Sequence, residues 1–261
     1  MGIGMRTPSM VERFIAEVLG TFLLVFIGGG AAAVTSLLLH GSAAVTALQL
    51  HSHILNELLT PAGLVLIALA HGLALFIIVL IVGRVSGAHV NPSITIGLAV
   101  TRRFPWEEVP AYIIGQLLGA ILGAVMTAIT YGRLASTIGH LGAPSLSTGT
   151  SLLQGLVIEG VGAGILMLAI ISTAIDTRSP AGWAGLTIGL ALGAIIMVIG
   201  PATGAAVNPA RAFGPDFVNI FFGVSTDWTA FVICYLVGPL IGATGAAFLY
   251  GYMSRLPRTR R

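Results

Sequence analysis

The sequence is short of charge and contains no lysine. Charged residues make up 8% of its 261 residues, whereas apolar residues make up 56%. Soluble globular domains usually carry about 25% charged residues, so a chain this poor in charge suits a lipid bilayer better than water. The net charge is +3, and all 12 basic residues are arginines spread along the chain. Since they form no single basic patch, binding to nucleic acid is not expected.

Signatures of catalysis and of disulfide bonding are also missing. The single cysteine, Cys234, stands in an apolar run and cannot form a disulfide within the chain. The sequence contains no HExxH or GxSxG motif, no cysteine nucleophile with a partner histidine, and no carboxylate pair at catalytic spacing. We therefore do not expect an enzyme, a metal site or a cofactor.

Long apolar runs predict six membrane-spanning helices. A spanning helix needs about 20 apolar residues. Runs of this kind cover residues 11–35, 61–83, 108–131, 151–174, 182–200 and 228–252. The first run is longer than the apolar core of a cleavable signal peptide, so it is predicted to stay in the protein as a spanning helix. The chain is thus predicted to be an all-α membrane protein with one domain over residues 1–261.

Two shorter apolar segments remain, from Pro92 to Val100 and from Pro209 to about Asn219. Each is too short to span a bilayer, and each follows an asparagine directly. Short helices at membrane depth are tolerated where protein or a water-filled cavity surrounds their ends. Both segments are therefore predicted to be re-entrant half-helices.

The positions of the arginines predict the orientation of the chain. Most of them fall on one side of a six-helix count, including the basic tail at 253–261, whereas the other side holds only Arg133 and Arg211. By the positive-inside rule, both termini are predicted to be cytoplasmic.

The chain repeats itself. Glu17 in the first helix matches Glu159 in the fourth, and the segment 86–93 (SGAHVNPS) resembles the segment 203–210 (TGAAVNPA). The repeats cover residues 11–131 and 151–252, and three crossings in each make the second inverted, with the functional site at the midplane. The first half has a longer outside loop, which carries His40, His51 and His53; the sequence leaves their role open.

The two Asn-Pro pairs predict how charge is excluded. Asparagine is a favoured N-cap and proline is favoured at the first helical position, so Asn91-Pro92 and Asn208-Pro209 start helices well. In inverted halves these N-termini point at each other, and each carries about half a positive charge. Their side-chain oxygens cap the helices, so we expect their amide N–H groups to face the lumen. A water molecule held by both would be oriented so that protons cannot hop through it.

These motifs resemble those of the major intrinsic proteins, the aquaporin family. The matching pieces are AEVLGTFLLVF, SGAHVNPSITIG, GQLLGAILGA, GPATGAAVNPARAFGP and YLVGPLIGA. The first Asn-Pro motif ends in Ser93 where alanine is usual, and the second ends in Ala210. The resemblance implies six spanning helices with two half-helices, a passive water channel, a homotetramer and a location in the cell membrane.

The family narrows at four positions, which fall here on His71, Ile196, Ala205 and Arg211. This combination resembles the filter of some plant vacuolar members. Glycerol facilitators have two aromatic residues at these positions and usually an aspartate after the arginine, where this chain has Ala212. Arg211 is expected to bind water and repel cations, and His71 to stay neutral beside it. Ammonia, urea and hydrogen peroxide are further candidate solutes.

The remaining polar residues at membrane depth are predicted to support the pore. In the family, carboxylates at the positions of Glu17 and Glu159 brace the re-entrant loops. His89 either lines the cytoplasmic vestibule or buttresses it, and His140 is predicted to be a surface loop residue. Two alternatives stay open, a glycerol or polyol facilitator and a coupled secondary transporter. The transporter needs an ion site, for which Glu17 and Glu159 are the acids that the sequence offers.

Overall fold

The computed structural model describes residues 6–39 and 60–254. Six helices in this part of the chain are long and apolar enough to cross a membrane, as predicted. They are α1 (Met10–Leu39), α2 (Pro61–Ser86), α4 (Val109–Tyr131), α5 (Leu152–Ile175), α6 (Ala184–Thr203) and α8 (Trp228–Ser254). The half-helices are α3 (Pro92–Val100) and α7 (Pro209–Asn219), with the predicted bounds. His40, His51 and His53 lie outside the described residues.

Local sequence explains where these helices begin. Ser9 caps α1 in a reciprocal capping box with Glu12, and Ser151 caps α5 in the same way with Gln154. Thr60 caps α2, whose first residue is a proline. Each of these side chains accepts a hydrogen bond from a backbone N–H that has no partner inside its helix. The helix ends are therefore fixed by short polar sequences between apolar runs.

The packing has the polarity of a membrane protein. Large apolar side chains such as Leu73, Val161 and Ile241 are exposed on the outer surface, whereas Glu17 and Glu159 are fully buried. Glycines let the helices approach closely. A Cβ atom added to Gly72 in α2 would lie 2.7 Å from the carbonyl oxygen of Gly189 in α6. The close contact between α2 and α6 therefore depends on the absence of a side chain at this position.

The two halves of the chain interlock through the half-helices. Among the spanning helices, α1 packs on α4, α2 on α6, and α5 on α8. The half-helix α3 packs on α8 of the second half, and α7 packs on α4 of the first half. As a result, each half-helix rests on a spanning helix from the opposite half, and the two N-termini meet in the interior.

Helices α1, α5 and α8 each contain a π-helical stretch, at Leu24–Gly29, Ile171–Ile175 and Phe231–Val237. Such stretches insert an extra residue into a helical turn and occur often at functional sites. The stretch in α1 ends beside His71 of α2, which is described below.

Candidate functional site: a pore between two half-helices

The two asparagines cap their half-helices with the side-chain oxygen. Asn91 Oδ1 accepts hydrogen bonds from the backbone N–H of Ser93 at 2.9 Å and from its hydroxyl at 2.8 Å. Asn208 Oδ1 accepts from the backbone N–H of Ala210 at 3.0 Å and of Arg211 at 3.2 Å. Pro92 and Pro209 follow at the first helical positions. The oxygens are therefore fully engaged in the helix starts.

The amide nitrogens of the same asparagines cross between the halves. Asn91 Nδ2 donates to the carbonyl oxygen of Val207 at 2.9 Å, and Asn208 Nδ2 donates to that of Val90 at 2.7 Å. A primary amide has two N–H donors, so one remains on each side chain. We expected both N–H donors of each amide group to face the lumen. Instead, one donor of each asparagine bonds to the loop of the other half, and only the second donor is left for the lumen.

The loops that lead into each asparagine adopt an unusual backbone. Val90 has φ of 43° and Val207 has φ of 44°, in the left-handed region that β-branched residues avoid. Ala88 and Ala205, two residues earlier, also have positive φ, at 51° and 47°. Strain of this kind persists only where the surroundings impose it.

In each half, a buried carboxylate holds the loop in this strained backbone conformation. Glu17 Oε1 accepts from the Ser86 hydroxyl at 2.6 Å and the His89 N–H at 3.0 Å, and Oε2 accepts from the Val90 N–H at 2.7 Å and Gln116 Nε2 at 2.7 Å. These four donors offset the cost of burying the charge. The carboxylate thus holds the loop that precedes Asn91 by two of its backbone N–H groups.

Glu159 repeats this arrangement with three donors. Its Oε1 accepts from the Thr203 hydroxyl at 2.6 Å and the Ala206 N–H at 3.0 Å, and its Oε2 accepts from the Val207 N–H at 2.6 Å. Both glutamates therefore lie where the predicted bracing role requires them. Their bonds hold the loop carbonyls of Val90 and Val207 in reach of the crossed amides.

A narrow cavity runs past the asparagines. Its free volume for water-sized molecules is about 20 Å³, just above the roughly 10–15 Å³ that one water needs. Its lining includes Asn91, Asn208, His71, Ala205 and Arg211. The remaining lining residues are Leu24, Leu75, Ala88, His89, Val90, Ile94, Leu166, Ile170, Leu192, Ala206 and Val207.

Ile196 is the one predicted filter residue outside this lining. Its side chain is buried in the apolar cluster that also contains Leu192 and Ala205. Leu192, one turn earlier in α6, lines the cavity instead. The place of Ile196 in the filter therefore stays a prediction.

His71 and Arg211 face each other, as the filter prediction requires. The ring nitrogen Nδ1 of His71 lies 2.9 Å from the carbonyl oxygen of Ile67, and Nε2 lies 3.4 Å from Arg211 Nη2. A carbonyl only accepts and a guanidinium only donates. Nδ1 must therefore carry the proton, and Nε2 must present a lone pair to Arg211, which makes His71 neutral in this arrangement.

Arg211 keeps donors for the pore. It is 4% exposed, and its Nε and Nη1 atoms have no hydrogen-bond partner among the described residues. Glu159 and Asp216 interact with it electrostatically. A buried guanidinium with two uncommitted donor atoms in the wall of a narrow cavity can bind a polar solute and repel a cation.

Gly28 makes room for the histidine. A Cβ atom added to Gly28 would lie 2.6 Å from His71 Cγ and 2.7 Å from its Nε2, closer than real side-chain contacts. Gly28 lies in the π-helical stretch of α1. The sequence did not reveal this residue, because its role depends on which face of α1 meets α2.

His89 both lines the cavity and takes part in the support behind it. Its Nδ1 lies 3.1 Å from the Thr95 hydroxyl, which also accepts a hydrogen bond from Gln116 Nε2 at 3.0 Å. Phe104 and Tyr112 pack against the imidazole ring. The two alternatives left open for His89 are thus compatible in one position.

His140 lies in the segment after α4, away from the pore lining, and its carbonyl accepts from Asn219 Nδ2 at 2.8 Å.

Asp216 is a further buried acid, inside a half-helix, which the prediction of only Glu17 and Glu159 omitted. It lies in α7 and is 6% exposed. Because α7 itself was predicted, Asp216 could have been found by reading the whole half-helix beyond Arg211. No group of three or more histidine, cysteine, aspartate or glutamate residues suited to a metal ion occurs in the described part of the chain.

Comparisons with known proteins agree with this geometry. The family model of the major intrinsic proteins matches residues 4–250. The probable aquaporin AqpM of Archaeoglobus fulgidus is 41% identical over 95% of this chain and 99% of its own length. The probable aquaporin TIP3-2 of Arabidopsis thaliana is 38% identical over 94% of this chain and 85% of its own length.

A solved structure has the same fold. The aquaglyceroporin of Plasmodium falciparum superposes with a TM-score of 0.74 at 29% identity, covering 93% of this chain and 96% of its own. The predicted resemblance is confirmed by these matches. The chain therefore belongs to the major intrinsic protein family, the aquaporins, and is an integral membrane channel rather than an enzyme.

Proposed function

We propose that the protein is a passive water channel that excludes ions and protons. The observation that carries this proposal is the pairing of His71 with Arg211 in a cavity with room for about one water at a time. The wall there is apolar except for a few polar groups, so a water molecule can form hydrogen bonds without being held tightly. Conduction needs binding of this moderate strength.

Three positive groups oppose cations. The N-termini of α3 and α7 each contribute about half a positive charge, and Arg211 adds a full charge. A cation in so narrow a cavity would also lose most of its hydration shell.

Protons are blocked by the orientation of the water molecule between the two asparagines. The free N–H of Asn91 and that of Asn208 would both donate to one water, whose own hydrogens then point away from the centre in both directions.

The solute range follows from the size and polarity of the filter. His71, Ala205 and Arg211 combine a small residue with two polar ones, and Ile196 is the apolar fourth residue of the predicted filter. We propose that ammonia, urea and hydrogen peroxide pass as well as water. Glycerol remains a second candidate, because the superposed structure is that of an aquaglyceroporin. Against it, the cavity lining contains no phenylalanine, tyrosine or tryptophan among the described residues.

The test is stopped-flow light scattering on proteoliposomes, with water, glycerol, urea and ammonia compared in one preparation. Water permeability well above that of empty vesicles, with slow glycerol entry, is expected. Fast glycerol entry with slow water would reverse the assignment. Repeating the solute measurements after ionophores have dissipated all ion gradients tests the coupled transporter, since a passive channel keeps its full flux.

The assembly and placement of the protein are part of this proposal. We expect a homotetramer with one pore in each subunit, in the cell membrane, with both termini cytoplasmic. Chemical cross-linking and mass measurement of the purified protein test the tetramer. Protease access to the arginine-rich tail, 253–261, in sealed right-side-out and inverted vesicles tests the orientation; cleavage only in inverted vesicles is the expected result.

A further inference from the structure

The lining of the pore follows the internal repeat with two exceptions. Two residues match when they lie equally far in sequence from the buried glutamate, or from the asparagine, of their own half. Apart from His71 and Ile170, every lining residue has a match in the other half that also lines the cavity. Examples are Leu24 with Leu166, Leu75 with Leu192, and Ala88 with Ala205.

The two exceptions come from different helices of the repeat. His71 in α2 matches Ile188 in α6, and Ile170 in α5 matches Gly28 in α1. In the first half, the glycine leaves space that His71 occupies. In the second half, Ile170 stands where α1 has the glycine, and Ile188 is buried in the apolar core outside the cavity lining. Ile170 therefore takes the place in the second half that His71 takes in the first.

Ile170 and His71 belong to opposite ends of the pore. Since α1 and α5 are three spanning helices apart, they cross the membrane in opposite directions. Gly28 lies in the later part of α1 beside His71, so the matching part of α5, with Ile170, lies toward the other side. Ile94, the match of Arg211, lines the cavity as well. We call the end with Ile94 and Ile170 the apolar end.

The side chains at the two ends differ in what they offer a solute. At the filter, Arg211 has two buried donor atoms without a partner among the described residues. At the apolar end, isoleucines stand in the places of Arg211 and His71. His89 is the polar side chain in this part of the lining, and its Nδ1 lies 3.1 Å from the Thr95 hydroxyl. A solute that sheds water can therefore bond to side-chain donors at the filter but meets an isoleucine wall at the apolar end.

We propose that Ile94 and Ile170 form an apolar barrier that slows urea, and other solutes with several polar groups, relative to water. This inference rests on the proposed channel function. A water molecule in a narrow file keeps hydrogen bonds to the molecules ahead of it and behind it. Urea has further N–H groups that point sideways, and these would lose their partners against the isoleucine wall. Apolar constrictions in channels control permeation in this way.

The ratio of urea to water permeability of the full-length protein in proteoliposomes tests the barrier. Ile170→Thr and Ile170→Val shorten the side chain equally, but only threonine adds a hydroxyl group. We expect threonine to raise the ratio by about tenfold, since one hydrogen bond regained by a dehydrated group is worth roughly that factor. Valine should raise it clearly less, because the wall stays apolar. Ile94→Thr should act like Ile170→Thr from an independent position.

Ile188→Thr is the matched control. Ile188 is buried in the same apolar cluster as Leu192 but does not line the cavity. The substitution makes the same chemical change as Ile170→Thr, and it should leave the ratio equal to that of the wild type. Thermal unfolding of all variants in detergent reports how far each one is destabilised.

Three results would overturn the barrier while leaving the channel function intact. The first is an unchanged ratio in both Ile170→Thr and Ile94→Thr, in proteins that conduct water. The second is an equal rise in Ile170→Val, which would mean that width and not polarity decides. The third is an equal rise in Ile188→Thr, which would mean that looser packing is responsible. Wild-type vesicles no more permeable to water than empty ones would instead overturn the proposed channel function itself.

Discussion

The two halves of the channel share their backbone supports but not their polarity. In both, a glutamate, a hydroxyl and a tyrosine hold the loop before the half-helix by the same bonds. The matched pairs are Glu17 with Glu159, Ser86 with Thr203, and Tyr112 with Tyr235. Around these supports, the first half is polar where the second is apolar. The contrasting pairs are Thr21 with Ala163, His89 with Ala206, Thr95 with Ala212, and Gln116 with Pro239.

The pore-facing position three residues after each asparagine reverses this contrast. It is Ile94 in the first half and Arg211 in the second. In the first half, the polar side chains of Gln116 and Thr95 are hydrogen-bonded to each other outside the cavity lining. In the second half, the charged side chain of Arg211 lines the cavity itself. The comparison indicates that the shared bonds hold the common fold of the two halves, and we propose that the differences between the halves determine selectivity.

The largest effect is expected from the paired variants Glu17→Gln and Glu159→Gln. The substitution replaces one carboxylate oxygen, which accepts hydrogen bonds, with an amide NH2 group, which cannot accept them. The backbone and side-chain donors that bonded to that oxygen then lose their acceptor. At Glu17 either oxygen faces two donors, whereas Oε2 of Glu159 faces only the Val207 N–H. Each donor left without an acceptor costs about 1–3 kcal/mol. Thermal unfolding in detergent should therefore place both variants below the wild type, with Glu17→Gln lower. Equal stability, or the reverse order, would mean that donor number does not set the difference.

The next effect is expected from Gly28→Ala, which alters the space for His71. The new methyl group overlaps the imidazole ring, so His71 must move away from Arg211 or α1 must shift away from α2. Water permeability should fall strongly, and the free energy of unfolding should fall by about 1–3 kcal/mol, the usual cost of overpacking. Gly245→Ala in α8 is the control, because nothing lies within 4 Å of its added Cβ atom. An active Gly28→Ala channel would mean that His71 tolerates displacement.

Arg211→Val makes the second half resemble the first at the filter. Loss of the charge removes a repulsion of about 1–4 kcal/mol for a cation nearby, so proton or cation leak should rise by about tenfold or more while water flow persists. A pH-sensitive dye trapped in proteoliposomes measures the leak. Arg133→Val removes a charge from an exposed residue outside the cavity lining and should leave the leak unchanged. If both variants leak equally, the overall charge and not the filter is responsible.

The smallest effect is expected from Ser93→Ala. This variant makes the first Asn-Pro motif end in alanine, as the second motif does at Ala210. The variant loses the hydroxyl bond to Asn91 Oδ1, but that oxygen keeps the backbone bond from residue 93. A stability loss of about 0.5–1.5 kcal/mol is expected, with unchanged water permeability. A clear loss of permeability would show that the hydroxyl orients the Asn91 amide in addition to stabilising it.

Much of this architecture could be predicted from sequence because its signals are local. The spanning helices follow from apolar run length, and the half-helices follow from Asn-Pro caps and short length. The predicted filter residues His71 and Arg211 were found by resemblance, and they are in contact. Ile196 is absent from the cavity lining and is buried in the same apolar cluster as Leu192; its position in the chain does not specify how α6 is rotated against α2. The roles of Gly28 and of the crossed bonds from Asn91 and Asn208 were also out of reach, because each joins segments far apart in the chain.

The crossed bonds have a mechanical consequence. Each links the side chain of one half to a backbone carbonyl of the other. These two hydrogen bonds, which run in opposite directions, therefore set the distance between the two half-helices at the centre of the molecule. A change in bilayer thickness is accommodated in part by tilting of the spanning helices. We expect the two crossed bonds to hold the width of the passage at its centre constant during such tilting.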